Sequence, residues 1–260
     1  MSRTVSRGVR RRAAATVIGL VLGLLLVIAG CEQAGPGSEW SPRPGRSSEP
    51  ASPSSPAAAR PPALRALQRL PAKGRAPMTG YDRDLFGQAW SDDNDQRWGH
   101  NGCDTRNDVL RRDLTDTVID PDTHGCVVLS GVLHDPYTGR TIRFTRGVTT
   151  SIEVQVDHAV ALADAWETGA QRWSAARRQE FANDPLELLA VDGPTNESKG
   201  AGDAATWLPP NKSFRCAYVA RQIAVKRKWG LWVKPAERDA MTRILQRCPG
   251  QRLPTAGQRP

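Results

Sequence analysis

Histidine is scarce in this 260-residue chain: there are four, beside three methionines, three tyrosines and four phenylalanines. A centre built on imidazole therefore has few positions to choose from. The five cysteines show no CxxC spacing, which argues against a four-cysteine zinc site. No internal repeat recurs, so a repeat architecture is not expected. Net charge is absent where a folded domain is expected. The whole chain carries +9, but residues 76–260 hold 24 basic and 24 acidic residues. Within that stretch the charges separate. Residues 76–195 have 11 basic and 20 acidic (net −9), and 196–260 have 13 basic and 4 acidic (net +9). Such sectors suit an anionic polymer held against a metal site. They equally suit two halves that pair with each other.

What is present begins with a positive start, Arg3, Arg7 and Arg10 to Arg12, followed by the apolar run "AAATVIGLVLGLLLVIAG" at 13–30. This reads as an export signal over residues 1–30. The run touches the length of a membrane span, so a retained anchor is the competing reading. "LVIAGC" places small residues directly before Cys31, similar to a bacterial lipoprotein signal, which implies cleavage there and acylation of Cys31. Residues 31–77 are rich in Pro, Ser, Ala, Gly and Arg and are expected to be a disordered tether, with a short helix allowed at 63–70. The folded domain is expected over 78–250, with a disordered tail at 251–260. With Cys31 acylated, Cys103, Cys126, Cys216 and Cys248 remain, an even number suited to two disulfides in an exported protein. Cys103–Cys126 with Cys216–Cys248 is the most local of three connectivities.

Along the domain, 81–114 is turn-rich and then helical from about Thr105, with Asp104 as a cap. Residues 126–147 read as two strands around "DPYTG", a hairpin. A strand is expected at 152–157, helix at 160–182 broken near Gly169, a strand at 186–192 and a short helix at 196–202. Longer helices are expected at 213–231, ending at Gly230, and at 234–248, with Pro235 in the first turn. The class is α+β.

"VQVDHAVALADAW" (154–166) puts Asp157 and His158 where a strand gives way to helix. Alternation sends neighbouring side chains to opposite faces, so the two converge only if the strand ends there. A histidine can take a proton from water near neutral pH, and a carboxylate is a hard ligand suited to Mg2+. "ANDPLELLAVDGPTNESKG" (182–200) adds Asn183 in a turn, Asn196 opening a helix, and Lys199 three residues on, on the same helix face. Arg106 and Arg111 are candidate phosphate contacts, though Arg among so many aspartates is commonly in a salt bridge. Trp207 and Trp229 are candidates for base stacking or for core packing.

The order strand, Asp-His, strand, Asn, helix resembles the ββα-metal site of HNH (His-Me finger) endonucleases. It resembles more closely the GmrSD-type HNH domain family in its secreted actinobacterial members. "FANDPLELLAVDGPTNESKG", "WLPPN", "FRCAYVARQIAVK" and "GCDTRNDVLRRDL" carry the likeness together with "VQVDHAVALADAWETGA". The resemblance implies a ββα-metal core with an added N-terminal hairpin and C-terminal helices. It implies His158 as general base, Asp157 and Asn196 as metal ligands, Asn183 steadying the histidine loop, and Lys199 facing the phosphate. The implied cofactor is one divalent ion, Mg2+ before Mn2+ or Zn2+. The implied substrate is nucleic acid, DNA before RNA, cut to a 5′-phosphate with low sequence specificity, since no base-reading module is visible. The expected protein is a monomer anchored outside the cytoplasm by lipid. Its rival is a non-catalytic lipoprotein that binds an anionic surface polymer.

Overall fold

The structure, a computed structural model, describes residues 62–260. Cys31 and the segment read as an export signal lie outside them. The fold is mixed α+β with two small antiparallel sheets. Helix α1 spans Ala63–Arg69, α2 Thr105–Asp113, α3 Leu162–Glu167, α4 Ala175–Ala182, α5 Gly193–Lys199, α6 Arg215–Trp229 and α7 Pro235–Leu245. Strands β1 (Leu114–Ile119), β2 (Val128–His134) and β3 (Thr141–Thr145) form one sheet in that order. Strands β4 (Val154–His158) and β5 (Leu188–Asp192) form the other.

Local chemistry explains the boundaries. Asp104 caps α2 by accepting from Asn107 N at 2.8 Å. Gly169 takes φ 139°, which breaks the helical run into α3 and α4. Gly230 closes α6 in the left-handed region at φ 71°, where only glycine is unstrained. Pro235 starts α7.

Three expectations change. The hairpin at 126–147 gains a third strand: Leu114, expected to end the helical stretch, opens β1 and pairs with Leu133. The domain also begins earlier than 78. Ala63, Ala66 and Leu67 of α1 are buried in the core that holds α6 and α7. Their apolar face outweighs the disorder-prone composition around them. Nor does the tail at 251–260 hang free. Leu253 is buried, Ala256 O accepts from Arg112, and Gln258 O accepts from Arg221.

The β4–β5 ladder divides two hydrophobic cores. In register, Val156 faces Ala190, Asp157 faces Leu189 and His158 faces Leu188. Val154, Val156, Leu188 and Ala190 pack with α2 and the three-stranded sheet. Leu189 and Val191 pack with the helices. Both faces of β5 are buried, which is why "LLAV" is continuously apolar.

Two disulfides, Cys103–Cys126 and Cys216–Cys248, tie the ends of these elements. Among the described residues no helix is long and apolar enough to cross a membrane.

Candidate active site

Strand β4 runs through His158 rather than stopping before it. Asp157 and His158 therefore project to opposite sides of the ladder. Their surroundings differ accordingly.

On one side, the Asp157 carboxylate is buried and fully engaged. Its Oδ1 accepts from Lys199 Nζ at 2.8 Å, and its Oδ2 accepts from the Tyr137 hydroxyl. Lys199 also donates to His158 O at 2.7 Å. The side chain expected to face a phosphate is thus buried, with no exposed area. Asn196, one turn earlier on α5, donates to Gln155 Oε1 at 2.8 Å. Gln155 and Asp157 share a face of β4, so α5 lies along it with Asn196 over one and Lys199 over the other. Glu187 is buried nearby. Its Oε1 accepts from Val160 N at 2.9 Å while Oε2 has no partner among the described residues. Burial holds this carboxyl well above the usual carboxylate range, with Lys199 opposing the shift and Asp157 adding to it.

On the other side, His158 borders a cavity of about 90 Å³. Arg83, Asp84, Gln88, Trp90 and Ala182 are among its walls. The imidazole stacks on Trp90 with centroids 5.8 Å apart and 16° between planes. Its Nε2 lies 3.0 Å from Ala182 O. A carbonyl only accepts, so Nε2 carries the proton and Nδ1 keeps its lone pair in the neutral ring. Burial, with the Arg83 guanidinium adding to it and the Ala182 hydrogen bond opposing it, lowers the His158 pKa from 6.5 to about 3. The ring is neutral at physiological pH. Asn183 follows Ala182 directly. It ends α4, donating from Nδ2 to Gln179 O at 3.0 Å, while its buried Oδ1 has no partner among the described residues.

Other expectations resolve differently. Arg106 donates to Val154 O at 2.9 Å and to Ser151 O at 3.4 Å, so it braces the start of β4. Arg111 donates to Gly125 O in the turn beside Cys126. Neither lines the cavity at His158. Trp207 packs on Tyr137 and Tyr218, and Trp229 on Trp173 and Phe181, as core residues. Four lysines of the basic sector pair with carboxylates of the acidic one. Besides Lys199, Lys226 pairs with Asp164, Lys228 with Asp184, and Lys234 with Asp164 and Glu167. Tyr137, Trp90 and Arg83 were not picked out from the sequence. Tyr137 sits in the "DPYTG" turn and Arg83 in the turn-rich 81–104 stretch, where local pattern signals a bend and nothing more.

Two places bear on metal binding. Asp164, Asp203 and Glu237 offer carboxylate oxygens within 4.8 Å of one another, a spacing that could hold a metal ion. Lysine ammoniums fill that space: Lys226 reaches Asp164 at 2.8 Å and Glu237 at 2.9 Å, and Lys234 reaches Asp203 at 2.8 Å. The second place is Asp157 with Asn196. Both Asp157 oxygens are already partnered, one by a cation, and the Asn196 amide is turned to Gln155. As placed, these residues do not fit a shared divalent ion.

The profile of the family described as GmrSD restriction endonucleases, C-terminal domain, matches residues 104–244. An "Uncharacterized secreted protein" of Arthroderma benhamiae (strain ATCC MYA-4681 / CBS 112371) is 36% identical over 186 residues, 70% of this chain and 82% of the relative. No solved structure matches the chain.

Proposed function

Because the chain belongs to the GmrSD restriction endonuclease C-terminal domain family, whose membership suggests nuclease activity, we propose that it hydrolyses nucleic-acid phosphodiester bonds outside the cytoplasm, with His158 as general base. DNA is the expected substrate, with low sequence specificity. We read β4, β5 and α5 as the ββα unit of an HNH domain. The observation that carries the reading is the His158 ring, fixed by Trp90 and by the Ala182 carbonyl, with Nδ1 available beside a cavity.

The chemistry follows from that ring. Nε2–H is committed to Ala182 O, so Nδ1 accepts the proton of a water in the cavity. The water oxygen attacks phosphorus, the bond to the 3′ oxygen breaks, that oxygen leaves with a proton from solvent, and the phosphate stays on the 5′ oxygen of the downstream fragment. Asn183 acts as a positioning residue, since it fixes the helix end from which Ala182 O projects. Lys199 and Asp157 act as positioning residues from behind, through the bond from Lys199 to His158 O.

HNH-family nucleases use divalent metals, and the sequence pointed to Mg2+ on Asp157 and Asn196. The hydrogen bonding described above does not fit such an ion, so no step is routed through it. Two disulfides and the secreted relative support an extracytoplasmic location. Acylation of Cys31 and a monomeric state belong to the same proposal. Mass spectrometry of the mature N-terminus tests the first.

Plasmid nicking by purified protein tests the activity. His158→Ala is expected to lower the rate by about 10²–10⁴-fold with circular dichroism unchanged. A folded variant cutting at the wild-type rate refutes the assignment. The same assay in EDTA, with Mg2+ or Mn2+ returned, reports whether turnover needs an ion and hence whether Lys199 must release Asp157.

A further inference from the structure

We propose that Arg83 forms a phosphate-binding subsite with His158, holding one backbone phosphodiester in the cavity between them. This rests on the nuclease reading above and adds to it a residue outside the 104–244 family match.

The first observation is a contrast among arginines. Arg106, Arg112, Arg178 and Arg221 each donate to backbone carbonyls. Arg83 has no hydrogen bond and no ion pair among the described residues, and it is exposed. It nevertheless lines the same cavity as His158 and acts electrostatically on that ring. An unpaired guanidinium facing a neutral imidazole across a small cavity is a ready anion site, because its fork of donors matches phosphate oxygens.

The second observation is rigidity. Arg83 opens a one-turn 3-10 segment, Arg83–Phe86. Phe86 is buried against Phe181 of α4, with centroids 6.1 Å apart. Leu85 O accepts from Arg178 of α4 at 2.9 Å. The same helix ends at Ala182, whose carbonyl orients His158. One helix thus sets both the base and the support of the cation, which favours a fixed separation between them.

The third observation is size. The cavity, about 90 Å³, is large enough for several waters, so a phosphate group and a water fit in it together. Asp84 also lines the cavity and opposes an anion. The charged groups that act on the His158 ring are nevertheless Arg83 and Lys199, both cations.

The test uses the full chain with Arg83→Gln and Arg83→Lys, both at an exposed position where folding should be retained. Inorganic phosphate is titrated while the His158 imidazole resonances are followed by NMR. Wild type is expected to show a saturable shift, Arg83→Gln none, and Arg83→Lys a weaker one. In nicking assays Arg83→Gln is expected to raise KM by about 10- to 100-fold. Its salt dependence of oligonucleotide binding should fall by about one charge in slope. Phosphate binding and KM unchanged in Arg83→Gln overturn the proposal. Phosphate binding through Arg83 in a wild-type protein that never nicks nucleic acid sinks the nuclease reading and leaves the subsite standing.

Discussion

Asp157 and His158 are adjacent in the chain and opposite in everything else. The Asp157 side of β4 is closed: carboxylate, ammonium and phenol satisfy one another away from water. The His158 side is open: one ring nitrogen is committed to the Ala182 carbonyl, and the residue borders a cavity that Arg83 also lines. A closed polar cluster sets geometry, and an open one can do chemistry. The pair teaches that a strand can carry its scaffold and its reacting group on consecutive residues.

The sharpest way to break this contrast is at Lys199. Lys199→Met leaves the Asp157 charge buried without its counter-ion and is expected to cost about 3–5 kcal/mol, read from urea unfolding. A loss below 1 kcal/mol would show that the Asp157 side is not closed. Tyr137→Phe removes one hydrogen bond to the same carboxylate. It is expected to cost about 1.5–3 kcal/mol, and a double-mutant cycle with Lys199→Met should show strong coupling.

The open side has a pH signature. His158 is depressed from 6.5 to about 3 in the fold. The unfolded chain therefore binds its proton more tightly, and stability falls as pH drops through the window from 6.5 to 3 and is flat above it. The expected slope from this group is roughly 1.4 kcal/mol per pH unit within that window. His158→Phe should lack it, and acid unfolding curves of the two proteins that run parallel would count against a neutral buried ring. The smallest expected effect is on metal removal. Because Lys199 neutralises Asp157, EDTA should leave the thermal midpoint unchanged, and a fall of several degrees would reveal a resident ion.

Local signals were readable in the chain wherever the chemistry is local. Asp104 as cap, the break at Gly169, the stop at Gly230 and the start at Pro235 depend on neighbours in sequence. The convergence of Asp157 and His158 expected from a strand ending at 157 does not occur, because β4 continues through His158 and alternation sends the two side chains apart. What escaped depends on distance. Tyr137 meets Asp157 across 20 residues, and Arg83 meets His158 through packing of α4 on a turn whose own pattern says only "bend". Helix α1 was legible as a helix, yet its burial depends on α6 and α7, more than a hundred residues downstream. The charge segregation was visible, but only packing shows that lysines of the second sector are interred with carboxylates of the first.

The disulfides give the fold a clock. They close loops of 23 and 32 residues, worth about 3.5 kcal/mol each by chain entropy. Small domains have only about 5–15 kcal/mol in total. A freshly made chain in a reducing compartment therefore lacks a large part of what holds the cavity together. On the proposed extracytoplasmic nuclease reading, the chain is expected to be least stable before its cysteines are oxidised and most stable after. Unfolding measured with and without reductant checks the link, and a chain equally stable in both would break it.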